Sequence, residues 1–281
     1  MPKCSSRFCD HGLSLPETSI PPGTLMNRFV RDSNMHERDG CTVDYRIAAT
    51  RNERRQAFCL VYECYRNSGL IKPNPYHMRV LPHHLSSTTN VFVAFGRSSA
   101  IATVTLIGDG QFGLPLESIH PEVAAERRQA GLTIAEISCL AVSHLAFRRF
   151  FPSFIELTRL MAQYARYMGI DQLLAVVHPR HARIFERLMG FQPFGSVKPH
   201  PSVGNQPALA CCLDFRRIDR SRPGLWDWYF ASRIPNGQLR PQPMPSEDQE
   251  YFRSVATLSD GPHPAAFAQM LCQPPIFRAS A

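Results

Sequence analysis

Thr133-Ile-Ala-Glu-Ile-Ser-Cys-Leu-Ala-Val142 is a β-branched, apolar run with one carboxylate, Glu136, set into it. The run reads as a strand, and a charge inside a strand is costly unless something uses it. Working outward, Ser153 and Glu156 stand at the S-x-x-E spacing of a capping box. The helix they are expected to start carries Phe154, Leu157, Met161, Ala165 and Met168 on one side and stops at Gly169. Leu173 to Val177 is a continuous apolar strand of the kind buried on both faces, ending at His178-Pro179. A further helix from Arg180 is expected to bury Ile184, Phe185 and Leu188 and to end at Gly190. Strand-like runs from Phe191 to Val197 and from Pro207 to Phe215 follow.

Upstream, Tyr45 to Thr50 alternates as a first strand, and Thr50 is placed to cap the helix after it. On that helix Phe58, Val61, Tyr62 and Tyr65 form one apolar stripe, and Arg51, Arg54, Arg55 and Arg66 are expected on a solvated face. The following loop, Lys72 to Leu85, is stiffened by Pro73, Pro75 and Pro82. Packed among these prolines are Tyr76, His77, Arg79, His83 and His84, more polar groups than a plain connector needs. Asn90 to Phe95 and Ala100 to Ile107 read as an antiparallel hairpin, followed by an insertion with a polar helix near Val123 to Ala130. The fold class is therefore α/β (α+β): a mixed sheet flanked by helices, with parallel pairing where a helix crosses over near its middle. Three regions follow: a flexible leader over 1–41, a mixed-sheet domain over 42–216 and a Pro-rich extension over 217–281. The extension is expected as an extended tail that packs back onto the core without forming a domain, anchored by Trp226-Asp-Trp-Tyr-Phe230 and Tyr251-Phe252.

Composition narrows the class. Hydrophobic residues make up 44% of the 281 and charged residues 19%, which is ordinary for a globular chain. The net charge of +8 favours an acidic partner and would also allow weak association with an anionic membrane surface. No finger spacing, RNP-like motif or basic helix with heptads accompanies it, so nucleic acid is not expected as a partner. The nine cysteines form no CxxC pair or regular framework, a usage typical of reduced, cytoplasmic proteins. No apolar stretch is long enough to span a bilayer, and the first residues lack the apolar core of a secretory signal. Neither Cys4, Cys9 and His11 nor His77, His83 and His84 fit a common metal-ligand spacing, so no metal is expected.

The order of elements resembles the GNAT acyltransferase fold. Four runs narrow the likeness: Asn74-Pro-Tyr-His-Met-Arg-Val-Leu-Pro82, Phe112-Gly-Leu-Pro-Leu-Glu-Ser-Ile119, Ala135-Glu-Ile-Ser-Cys-Leu140 and His178-Pro-Arg-His-Ala-Arg183. Together they resemble the long-chain N-acyl amino acid synthases, GNAT relatives that are also similar to the acyl-homoserine lactone synthases. The likeness spans about Tyr45 to Phe215 and departs from the family pattern at His77, where glycine is expected. It implies a mostly antiparallel sheet and transfer of a long fatty acyl group from acyl carrier protein to the α-amine of an amino acid, commonly tyrosine, with no tightly bound cofactor. Ordinary GNAT enzymes grip the coenzyme A pyrophosphate with a glycine-rich loop after the central strand. Here that junction is Ser143-His-Leu-Ala-Phe-Arg-Arg-Phe-Phe-Pro152, without glycine. Acyl-coenzyme A is thus a less apt donor than the phosphopantetheine thioester of acyl carrier protein, whose single phosphate or acidic side chains Arg148 and Arg149 could meet.

Acyl transfer to an amine needs a neutral nucleophile, a polarised thioester carbonyl and protonation of the thiolate. Glu136 is the candidate base, directly or through one water, and backbone N–H groups near Ser138 and Cys139 are candidates for the oxyanion site. Arg79 could pair with the acceptor's carboxylate, Tyr76 and His83 could contact substrate, and His178 could contact substrate or relay a proton. Each has a plainer alternative: a salt-bridged structural Glu136, a small buried thiol at Cys139, a loop-locking Arg79, a capped strand-end His178. Two other functions share the pattern: a signal synthase acylating S-adenosylmethionine, and an acyl-carrier or lipid binder without turnover.

Overall fold

The computed structural model describes residues 42–97, 99–143 and 150–256. The leader, Arg148 and Arg149 lie outside the described residues.

Strand β1 (Val43–Ile47) leads to Thr50, whose hydroxyl accepts from the Glu53 N–H while Glu53 Oε2 accepts from the Thr50 N–H at 3.0 Å. That capping box starts α1 (Arg51–Asn67), which buries Ala57, Phe58, Leu60, Val61 and Tyr62. The hairpin β2 (Thr89–Gly96) and β3 (Ser99–Gly108) follows the proline-rich loop. A 3-10 turn (Pro115–Ser118) and α2 (Pro121–Gln129) form the insertion before β4 (Ile134–Val142). Next come α3 (Phe150–Tyr167), β5 (Gln172–Val177), α4 (Pro179–Met189), β6 (Gln192–His200) and β7 (Gln206–Asp214). These strands form one seven-stranded sheet in the order β1-β2-β3-β4-β5-β7-β6. Only β4 and β5 pair in parallel; every other pairing is antiparallel.

Alternation along the strands sorts the core onto two faces. Val91, Val93 and Phe95 of β2 cluster with Ala57 and Phe58 of α1. On the opposite face Phe92 meets Tyr164 of α3, and Asn90 Nδ2 donates to the Tyr164 hydroxyl at 2.8 Å. Helix α3 also contacts α4 through Phe154 and Phe185.

Several local expectations are revised. The Ser153–Glu156 box does not form: α3 already begins at Phe150, Ser153 is fully buried inside it, and Glu156 is held by Arg159 and by Trp228 Nε1 at 2.9 Å. Met168 lies past the helix end and is exposed, while Phe154, Leu157, Met161 and Ala165 are buried. On α4 the fully buried residues are Ala182 and Met189; Ile184, Phe185 and Leu188 are half-buried. Arg54 leaves the solvated face altogether: it is 2% exposed and its Nη1 donates to Asp248 Oδ2 at 3.0 Å.

That ion pair belongs to the C-terminal extension, which over its described residues packs back on the sheet domain as expected but is helical where extended chain was expected: α5 (Phe215–Ser221), α6 (Trp226–Phe230) and α7 (Ser246–Ala256). Tyr229 shares a hydrogen bond with Thr158, and Gln163 binds the backbone at Tyr229, Ser232 and Ile234. Met244, Phe252 and Val255 join the cluster around Phe58, Val80 and Phe112. The frequent prolines point to extended chain between the aromatic anchors, whereas the apolar spacing of Phe252, Val255 and Ala256 seats α7 as a helix.

Candidate active site

Glu136 stands on β4 opposite Ile107 of β3 and Leu174 of β5 and is 2% exposed. Its Oε2 accepts a 2.7 Å hydrogen bond from the Leu116 N–H. The turn bearing that amide is braced from outside. Glu117 Oε1 accepts from the Leu114 N–H at 2.7 Å, and Arg128 bridges Glu117 and Asp109. Gly113 has φ +63°, and a Cβ there would stand 2.6 Å from Glu117 Oε1, so glycine is required for this turn. Burial pushes Glu136 up to about 8, partly countered by the Leu116 N–H and reinforced by the negative Glu117. At neutral pH the free protein therefore holds this carboxyl largely protonated.

Two residues further on, the strand changes character. Thr105 pairs with Ser138 but Thr103 pairs with Ala141, so Cys139 and Leu140 of β4 oppose Val104 alone. In this bulge Cys139 takes φ +50°, uncommon for a residue with a side chain. The parallel pairing of β4 and β5 stops at Ile137 with Ala175, while β5 continues along β7 to Val177. Beyond Ile137 the two central strands part, and backbone groups of the bulged segment are released from pairing with β5. Bulges next to a strand divergence re-aim backbone N–H groups, which suits an oxyanion site.

Cys139 is buried against Leu60, Val61 and Leu81, and burial raises its thiol pKa. It is a neutral packed thiol in this environment and not an activated nucleophile. Ser138 Oγ lies 3.7 Å from its sulfur.

The proline-rich loop splits its residues. Tyr76 is 41% exposed, on a turn held by Asn74. His77 has φ +51°, the left-handed region that favours glycine. Arg79, by contrast, is 6% exposed. Its backbone N–H donates to Phe58 O, Nη2 donates to Ser202 O at 2.8 Å, and the guanidinium lies over the Tyr65 ring and beside the Cys139 thiol. His83 is buried against Phe112, and burial lowers it to about 4. His178 sits at the end of β5 as the N-cap of α4, its Nδ1 accepting from the Arg180 N–H at 3.3 Å; burial and Arg180 lower its pKa.

Glu136, Ser138, Cys139, Arg79 and His83 thus share the central strands and the loop beside them. Tyr76 stands apart at the surface, and His178 marks the far side of the strand divergence. Sequence reasoning missed the Leu116 amide and the Glu117–Arg128–Asp109 brace, because partners 11 and 19 positions apart leave no periodic trace. It also passed over His200, lowered to about 4 by burial and Arg79, whose Nδ1 pairs with Ser202 Oγ. A polar cleft of about 340 Å³ runs along β1 beside Arg240 and Gln242, three strands away from β4. It takes no part in this site. Among the described residues no three His, Cys, Asp or Glu side chains are grouped to hold a metal, and no helix is long and apolar enough to cross a membrane.

A mixed sheet whose central parallel pair parts beside a bulge, with helices on both faces, is the GNAT fold, and the class it defines here is an acyltransferase. The family model "N-acyl amino acid synthase FeeM" matches residues 56–214, more than half of the chain, which therefore belongs to the FeeM family of N-acyl amino acid synthases. The solved structure of FeeM from uncultured soil microbes is 26% identical, with a TM-score of 0.58, covering 67% of this chain and 98% of its own. The acyl-homoserine lactone synthase LasI is 17% identical with a TM-score of 0.47, covering 62% of this chain and 89% of its own. The coenzyme A-dependent acyl-homoserine lactone synthase BjaI has the same identity and TM-score, covering 83% of this chain and all of its own. No curated protein sequence matches.

Proposed function

We propose that the protein transfers a long-chain fatty acyl group from the phosphopantetheine thioester of acyl carrier protein to the α-amine of an amino acid, tyrosine being the first acceptor to test. The observation that carries the reading is Glu136: a carboxyl buried on the central strand, with proton affinity near 8, next to the point where β4 and β5 part. An ordinary carboxylate is a poor base for an ammonium. One raised to about 8 is far better matched, and general base catalysis is most efficient when the two proton affinities are close.

In this mechanism Glu136 takes the proton from the α-ammonium, directly or through one water, and the freed amine attacks the thioester carbonyl. The N–H groups released at the Ser138–Cys139 bulge stabilise the oxyanion. Collapse expels the thiolate of the phosphopantetheine arm and leaves an amide. Arg79, a buried cation without a carboxylate partner among the described residues, binds the acceptor's carboxylate. His178, at the mouth of the divergence, contacts substrate. The positive charges that the sequence places at Arg148 and Arg149 suit the phosphate or acidic side chains of the carrier protein. The net charge of +8 supports an acidic partner.

The test is incubation with palmitoyl-acyl carrier protein or palmitoyl-coenzyme A, the twenty amino acids and S-adenosylmethionine, read by mass spectrometry. An N-acyl amino acid formed preferentially from the carrier protein is expected. Acylated product from S-adenosylmethionine alone would assign a signal synthase. Tight carrier-protein binding with no thiol release would assign a binder without turnover.

A further inference from the structure

Three side-chain nitrogens on the stretch from Arg79 to His84 have no hydrogen-bond partner among the described residues: Nε of Arg79, Nδ1 of His83 and Nε2 of His84. Their residues are 6%, 8% and 1% exposed. Buried polar atoms are normally paired, so three orphans on one short loop point to a ligand that completes them.

Their chemistry differs. The Leu81 N–H donates to His84 Nδ1 at 2.8 Å, so the neutral ring must carry its proton on Nε2. Burial, His83 and Arg79 together lower His84 to about 3, which keeps the ring neutral throughout the physiological range. Its Nε2–H is therefore a buried donor with no acceptor among the described residues. Arg79 Nε–H is a second donor of the same kind, and the guanidinium is close enough to depress the imidazole's proton affinity. The remaining contacts of Arg79, Ser202 O, the Tyr65 ring and the neutral Cys139 thiol, supply no full negative charge. His83 is the opposite case. It bonds the Phe112 backbone through its other nitrogen, which leaves Nδ1 as a lone pair, unsuited to an anion.

The donor on His84 is also held in place. Its ring stacks on Phe58 at 4.7 Å between centroids, and Phe58 meets Phe252 of α7 edge-on at 5.1 Å. One cationic and one neutral donor, buried near each other, are the chemistry that the two oxygens of a carboxylate accept.

We propose that His84 acts with Arg79 to bind the carboxylate of the acceptor, the His84 Nε2–H donating to one oxygen and the Arg79 Nε–H to the other. This rests on the amino-acid acceptor of the preceding subsection and names the group by which it is recognised. The acceptor class is then amino acids with a free α-carboxylate, excluding amines, amides and esters.

Isothermal titration of the full chain with an N-palmitoyl amino acid and with its carboxamide tests this, using wild type, His84→Phe and His84→Gln. A turnover assay with 4′-phosphopantetheine as a competing ligand runs alongside. Phe keeps the aromatic stack and removes the donor, and Gln keeps an N–H. Wild type is expected to prefer the acid over the carboxamide by about 10-fold or more, since bonds to charged groups are the strong ones. His84→Phe should lose most of that preference and raise KM for the acceptor with little change in kcat, while His84→Gln recovers part of it. Should His84→Phe fail to fold, the wild-type acid-against-carboxamide ratio and His84→Gln carry the test. Equal wild-type affinity for acid and carboxamide, or unchanged acid binding in His84→Phe, would overturn the proposal while turnover left the acyltransfer reading standing. Loss of phosphopantetheine binding alone in the variant would also overturn it, reassigning the donors to phosphate. His84-dependent binding of the acid without any turnover would keep the carboxylate site and remove the acyltransfer reading.

Discussion

The backbone N–H of Leu116 meets the carboxyl of Glu136 at 2.7 Å, joining a turn of the insertion to the central strand 20 positions later. The bond orients a buried acid that would otherwise be free to rotate. A glutamine at 136 still offers an oxygen to this amide, so Glu136→Gln should fold with a melting temperature close to wild type. Its rate of N-acyl product formation should fall by about 10² to 10⁴, the usual worth of a positioned base. A folded variant with near-wild-type turnover would remove Glu136 from the chemistry.

The same carboxyl predicts two opposite pH trends. As a base it must be ionised, so kcat/KM should climb about tenfold per pH unit below about 8 and level above it. For stability, the folded-state value lies above the usual 4.5, so the unfolded chain gives up this proton first. The resulting stability is fully present below about 4.5 and is lost as pH rises through about 8, with a slope of at most ~1.4 kcal/mol per unit. Urea titrations of wild type and Glu136→Gln at pH 5 and pH 8 should show the extra loss in wild type only. Parallel pH dependences in the two proteins would contradict it.

Asp248 holds the C-terminal helix to α1 through Arg54 and Arg51. Side-chain exposures of 3% for Arg54 and 9% for Asp248 make the pair buried. Asp248→Ala strands the Arg54 charge and should cost about 3–5 kcal/mol, whereas the paired change Arg54→Met with Asp248→Leu should recover most of it. Chemical denaturation of wild type and the two variants decides between a true buried pair and a replaceable surface contact.

At the bulge, Cys139 combines a buried thiol with φ +50°. Cys139→Ala should keep turnover within several-fold, because the neutral thiol is not the nucleophile. Cys139→Val should destabilise by about 1–3 kcal/mol, since a β-branched side chain resists this backbone region. Loss of all activity in a well-folded Cys139→Ala would restore a thiol mechanism.

Gly113→Ala places a methyl 2.6 Å from Glu117 Oε1 at φ +63°. It should cost about 1–3 kcal/mol and, by shifting the Leu116 amide, reduce turnover more than its stability loss explains. Turnover that recovers fully once the variant is saturated as folded protein would separate the brace from the site.

Much of the fold was written locally. The Thr50–Glu53 cap, the hairpin over Asn90 to Ile107, and the buried run at Leu173 depend on neighbours within a few positions, and all three form as the pattern indicates. Ser153 and Glu156 show the limit of that logic. Their spacing is right for a cap, yet an earlier helix start and the indole of Trp228, 72 positions away, redirect both.

The sequence by itself determined the order of helices and strands, the unusual placement of a carboxylate in an apolar strand, and the family likeness carried by four short runs. Those properties rest on periodicity and on residue types. Only the tertiary structure decided that Glu136 is buried, amide-bonded and high in proton affinity, that Arg79 and His84 keep donors without acceptors among the described residues, and that α7 clamps α1 through Arg54. Proton affinity and unmet hydrogen bonds depend on what surrounds an atom in space, and here the surroundings come from chain segments up to 194 positions apart.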